Sequence, residues 1–304
     1  MRFCPIIYLF ILTGSLLLSC KKEEVVPVGT DKDFRIAFGL EGIAVSKAVQ
    51  ETTVSEIAAN GFNVAGVMSE GMVFFNETAI KDENGIYRTG TDYYYPMEDV
   101  ISFYAVYPLE RQVVFINGSP CVQYDSPLGF DEDLVLASRK NVAMNPSVVG
   151  LTFKHMLSQI KFTVIGSDTN ADYILKSLTV LCRKKGTCDF DGVWTPDAET
   201  AEMSFISSEI AVPTNTKLSL DESYSCIPTV IQVYCEWETF QNGVKTATYS
   251  RSTPDLNSAD AIVMEQGKRN TINLVLPNEQ AKEIVFTVTV NPWDENAKDI
   301  IMEE

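Results

Sequence analysis

Glu283-Ile284-Val285-Phe286-Thr287-Val288-Thr289-Val290 is the stretch that decides the fold. Ile284, Phe286, Val288 and Val290 fall on one side of an extended chain, and Val285, Thr287 and Thr289 on the other. That is the two-residue period of a half-buried β-strand. Runs of the same kind, rich in β-branched and aromatic residues and bounded by Gly, Pro, Asn and Asp, recur along the chain. They lie at Phe34–Leu40, Gly61–Val67, Val100–Tyr107, Gln159–Ile165, Leu175–Cys182, Thr229–Glu238 and Thr271–Leu276, among others. Only Val54–Asn60 predicts a helix, a short one, with Thr53 as N-cap and Glu56 three residues on completing a capping box. Many short strands and almost no helix predict an all-β protein built of β-sandwiches.

The 304 residues fit two sandwiches in tandem better than one. The polar cluster Gly166-Ser167-Asp168-Thr169-Asn170, which follows a strong strand, is the expected boundary. A net charge of −17 repels phosphate backbones, so nucleic acid is excluded as a partner. The acids are interleaved with apolar runs, the pattern of a solvated surface on a folded core and not of a disordered tail.

The N-terminus reads as an export signal. Arg2 precedes an apolar run from Pro5 to Leu18 that is too short to span a bilayer, and the run ends in Leu17-Leu18-Ser19-Cys20. This resembles a bacterial lipobox, in which Cys20 is acylated and becomes the new N-terminus; two or more acyl chains make a durable anchor. The expected layout is a signal peptide at 1–19, a lipidated tether at 20–33, and sandwich domains at 34–166 and 167–304. Lys21-Lys22-Glu23-Glu24 resembles the tether that sends lipoproteins of the Bacteroidetes to the outer cell surface. Past Cys20 the chain has Cys121, Cys182, Cys188, Cys226 and Cys235, an odd number in an oxidising compartment. Cys182 and Cys188 flank a turn-like insert and could close a hairpin; Cys226 and Cys235 could instead pair with them across a sheet.

Groups suited to catalysis are scarce. His155 is the sole histidine and sits among apolar residues, as a structural histidine does; the cysteine spacings do not suit zinc. Asp131-Glu132-Asp133 could hold a carboxylate pair for glycoside hydrolysis, but three acids in a row before a strand read better as a solvated turn. No phosphate-cradling loop or dinucleotide fingerprint is present, so neither a metal nor a cofactor is expected. Tyr93-Tyr94-Tyr95, Trp194 and Trp237 could form a platform for sugar rings, or the edge of a core.

Several blocks, in order, resemble the Bacteroidetes fimbrillin family, the subunits of type V pili. They are Ser55–Val64, Tyr93-Tyr94-Tyr95-Pro96, Val100–Pro108, Asp133–Ala137 and Leu151–Phe162, followed by a closing strand that runs to Trp293. The resemblance covers roughly residues 34–293. It implies two transthyretin-like β-sandwich domains in tandem, no enzymatic activity, and assembly with other fimbrial subunits by strand addition. In that scheme an exported lipoprotein, held in the outer membrane at the cell surface through Cys20, is cut so that its first strand leaves with the lipid. Here the first strand would be Phe34–Leu40 and the cut would fall at Lys47-Ala48, where the family usually has arginine; Arg35 stands too early in the strand for a cut there to remove it. If the chain is cut, the donated strand would be the C-terminal one carrying Ile284, Phe286, Val288 and Val290. If it is not, the lipidated chain suits an anchor at the fimbrial base. A host or glycan ligand fits a surface lipoprotein of the same architecture that does not polymerise.

Overall fold

The computed structural model describes residues 34–43, 55–127, 129–144, 147–278 and 285–292; for 42, 43, 285–287 and 289–292 it describes the backbone alone. Cys20, Thr53, Lys47, Ala48 and Ile284 lie outside the described residues. The described residues belong to one compact unit and are almost wholly β.

Residues 55–60 form the expected helix, and Gly61 ends it. The Gly61 N–H donates to the Ile57 carbonyl at 2.8 Å, and its φ of 83° is the left-handed conformation that closes a helix. From there the chain enters β2 (Phe62–Met68), which pairs with β3 (Val73–Lys81) on one side and β5 (Ile101–Tyr107) on the other. Both β2 and β5 are buried on two faces, which is why they read as continuous apolar runs and not as alternation. Phe62, Val64 and Phe103 point into one core, and Ala65, Val67 and Val106 into another.

The first core fills a closed barrel. Its wall runs β1 (Phe38–Ile43), β4 (Tyr87–Thr89), β3, β2, β5, β8 (Val135–Val142) and β9 (Val149–His155), and β9 returns to β1. The sequence placed the first strand at Phe34–Leu40. The structure shifts it: residues 34–36 pair with the 93–95 segment, Ile36 N–H to Tyr93 O at 2.8 Å and Tyr95 N–H to Phe34 O at 3.1 Å. From Phe38 onward the chain changes partner to β9.

The largest core lies between two sheets of the C-terminal half. One contains β10 (Ser158–Gly166), β21 (Lys268–Leu276) and β22 (Val285–Pro292), with the short β16 (Leu218–Ser219) and β17 (Tyr224–Cys226) against β10. The other contains β14 (Thr200–Ser204), β11 (Asp172–Arg183), β18 (Val230–Gln241) and β19 (Val244–Ser252), with β15 (Ile210–Val212) on β11 and β20 (Ile262–Val263) on β18. Ile160, Phe162 and Val164 of β10 face this core while the residues between them are half-buried, the alternation the sequence predicts. A third core is covered by a four-stranded sheet in the order β13 (Trp194–Pro196), β12 (Lys185–Asp189), β7 (Ser119–Asp125), β6 (Val114–Ile116). Strands from both halves of the sequence thus share one sheet.

A Cβ at Gly61 would stand 2.1 Å from the Ala79 carbonyl oxygen, and the positive φ disfavours any side chain. Gly61→Ala is therefore expected to cost roughly 1–3 kcal/mol. Urea unfolding reads this directly, and an unchanged midpoint would show that the helix-to-strand junction is not under this constraint.

Candidate functional site: the groove that holds the first strand

β1, the first strand of the described residues, is held on both sides. It runs parallel to β9 over register pairs from Phe38↔Val149 to Ile43↔Phe153, and it meets β4 at Phe38↔Tyr87. Phe38 is fully buried, edge-on to Phe103 at 5.2 Å and to Phe62 at 6.1 Å; Ile36 is buried beside it. Burying one such side chain contributes about 1.5–3 kcal/mol. Without β1 the barrel would open between β9 and β4 along a slot lined by Phe62, Tyr87, Phe103, Val149 and Leu151, with unpaired backbone groups on its edges. An extended segment fits such a slot through side-chain insertion and ladder hydrogen bonds together.

The C-terminal strand sits elsewhere. β22 pairs antiparallel with β21 from Lys268↔Pro292 to Val275↔Val285, and it is the last strand of that sheet. Of the four residues expected to face a partner, Val288 is half-buried against the largest core; Phe286 and Val290 lie on β22, and their side chains are outside the description.

The acids of the 131–133 triplet turn to separate tasks. Glu132 receives the Arg111 guanidinium through Nε and Nη2, each at 2.7 Å, and Arg111 lies over the Tyr124 ring at 4.7 Å. Burial is the largest single influence and opposes the Arg111 charge, but the hydrogen bonding and negative charge of Glu132, with smaller help from Tyr124 and Asp125, together outweigh it and hold the guanidinium pKa above its usual value. Asp133 lies 2.8 Å from His155 Nδ1, which is buried, as a structural histidine would be. This clamp escaped sequence reasoning because Arg111 and Glu132 stand 21 residues apart and leave no local signature.

No exposed aromatic platform is formed by the predicted rings. Trp237 is fully buried, stacked on Tyr249 at 5.0 Å, and Tyr95 is buried too. Tyr93 stacks on Phe75 at 4.6 Å and donates to Glu77 at 2.6 Å, which leaves Tyr94 alone exposed among the three tyrosines. Trp194 is half-buried and its indole N–H donates to the Met156 carbonyl.

The cysteine expectations are corrected as well. Cys182 and Cys188 do not close a hairpin, because β11 and β12 belong to different sheets; nor is Cys226 or Cys235 paired with either of them. All five described cysteines are buried free thiols. Burial pushes the Cys182, Cys188 and Cys235 thiols up to about 12, and Cys226 well above the ordinary range. Among the described residues no group of three or more His, Cys, Asp or Glu could hold a metal ion.

A family model described as fimbrillin-like matches residues 43–293. In structure the chain is similar to a fimbrial protein from Bacteroides vulgatus, with a TM-score of 0.62 and 16% identity over 85% of this chain and 99% of that one. It is similar also to a candidate cell adhesion protein from Parabacteroides distasonis, with a TM-score of 0.52 and 11% identity over 87% and 98% of the two chains. At such identities the likeness is one of fold. No curated protein matches the sequence significantly. The fold is that of an all-β protein, and the chain belongs to the fimbrillin-like family. It is a structural, non-enzymatic protein with a fimbrial role at the cell surface.

Because the folded thiols hold their protons more tightly than unfolded ones, their contribution is complete below the ordinary thiol pKa of 9 and is lost as the pH rises toward 12. The denaturation midpoint is expected to fall between pH 9 and pH 11. A thiol reagent at pH 8 should label none of the five until the protein is unfolded; rapid labelling of the native protein would contradict their burial.

Proposed function

We propose that this chain is a subunit or anchor of a type V pilus that joins its neighbours by β-strand exchange. The observation that carries this is the seating of Phe38: β1, the first strand of the described residues, fills a hydrophobic slot between β4 and β9 that an equivalent strand from another chain would fit. Export as a lipoprotein acylated at Cys20 brings the chain to the outer membrane. Cleavage between Lys47 and Ala48 then releases β1 with its lipid, since the cut falls beyond Ile43 and spares β2. A cut after Arg35 would leave Phe38 in place and open nothing. The donated strand in this scheme is the C-terminal segment that includes Ile284, Phe286, Val288 and Val290.

Two transthyretin-like sandwiches in tandem belong to the same scheme. We put their seam at Met156-Leu157 and not after Gly166, because β10 pairs with β16, β17 and β21, all later in the chain. The glycan-binding alternative loses its support with the burial of Trp237 and Tyr95.

Intact mass spectrometry of the protein taken from assembled fimbriae on its native cell surface tests the proposal. Unlipidated chains beginning at Ala48 are expected in the filament, with lipidated Cys20 on the intact chain at its base. Chains beginning at Ile36 would keep most of the first strand and contradict strand release.

A further inference from the structure

β1 does not follow β9 evenly. Leu40 pairs with Leu151 and Gly42 with Thr152, so Glu41 is the extra residue of a bulge. A bulge re-aims the side chain it carries. Here Glu41 is exposed on the outer face of the wall and lies across Gly150, where a Cβ would stand 1.8 Å from Glu41 Oε1. Any side chain at 150 would push the carboxylate out of this position. Thr152 Oγ1 donates to Glu41 Oε2 at 3.5 Å.

The carboxylate reaches a cavity of about 340 Å³ formed where the barrel wall unzips. The ladder between β8 and β9 stops after Leu136↔Lys154, and beyond it Ser138, Arg139, Gly150 and Thr152 line the opening together with Lys154. Arg139 and Lys154 are exposed cations that form no ion pair among the described residues. Asp191, the other acid on the cavity, is committed to Lys140 at 2.8 Å. On a chain of net charge −17, two unpaired cations beside one strand-borne carboxylate form a local site of the opposite sign.

We propose that this site selects the strand that occupies the groove: an entering strand must carry Asp or Glu at the bulge register, three residues after an apolar side chain in the Phe38 position. The inference rests on strand replacement as set out above and narrows the partner it would accept: in this chain's own C-terminal strand the residues three after Ile284, Phe286, Val288 and Val290 are Thr287, Thr289, Asn291 and Trp293, none of them acidic, so the fitting strand comes from a different subunit. With β1 gone, the groove offers a glycine cradle, a threonine hydroxyl and two cations, and an acidic residue on the neighbour's strand restores what Glu41 supplied. The apolar slot gives affinity, and the carboxylate fixes register, since a slip by one residue would put Leu40 or Gly42, neither of them charged, at the position beside Arg139 and Lys154.

The test uses the full chain with a sequence-specific protease site placed between Lys47 and Ala48, cut after folding so that β1 is held without a covalent link. Labelled peptides with the sequence of residues 34–44 then compete for the groove. The native peptide is expected to exchange in, Glu41→Gln to bind roughly 5- to 30-fold more weakly, and Glu41→Lys more weakly still. Lys154→Glu in the protein should narrow the gap between the Glu41→Lys and native peptides. Equal binding of the native and Glu41→Gln peptides would overturn the selection by charge while leaving strand replacement intact. Failure of every peptide to enter, with β1 never released, would overturn strand replacement and the selection with it.

Discussion

The parallel pairing of β1 with β9 closes the barrel, and the aromatic core depends on it. Phe38 is the ring against which Phe62 and Phe103 are set, and Phe62 in turn meets Tyr87 and Phe153. Each edge-to-face contact adds about 0.5–1.5 kcal/mol beyond area burial. The strand that supplies this ring comes first in the described chain and joins β4 to β9, elements that come much later. Among the described residues, loss of this strand would disturb only its own ladders and the pairing of residues 34–36 with the 93–95 segment. An internal strand such as β2 is paired on both sides and buried on both faces.

The rest of the molecule is tied together by contacts that do not involve that strand. The sheet β13-β12-β7-β6 draws strands from both halves of the sequence, and the Trp194 indole reaches back to Met156 at 2.9 Å. Arg111, gripped by Glu132 and stacked over Tyr124, locks the loop after β5 to β7 and to the segment before β8. Such a half-buried, bidentate pair resists separation because losing either partner leaves the other without its counter-charge. A structural subunit needs this kind of internal tie more than it needs a cleft.

What the sequence revealed depended on how local each signal was. Alternation in β10 and β21 is a two-residue pattern and is read directly from Gln159–Ile165 and Thr271–Leu276. The helix before Gly61 was legible for the same reason. β1 was misplaced because Phe34–Leu40, apolar but for Arg35, carries no break at Ala37, where its change of partner is set by the 93–95 segment, some 56 residues away. The cysteine pairings the sequence left open are not formed: Cys182 and Cys188 are near in sequence but stand in different sheets. Glu41 gave no signal at all: its role comes from a bulge, a glycine on a distant strand and a gap in a ladder, none of which has a local pattern.

The most direct measurement is a structure of the assembled filament at a resolution that shows side chains. The account predicts that the strand running parallel to Val149–His155 belongs to a neighbouring subunit, with an apolar side chain in the Phe38 position and an acidic one over Gly150. A filament in which every subunit keeps its own Phe38 in the barrel, with neighbours joined elsewhere, would contradict it.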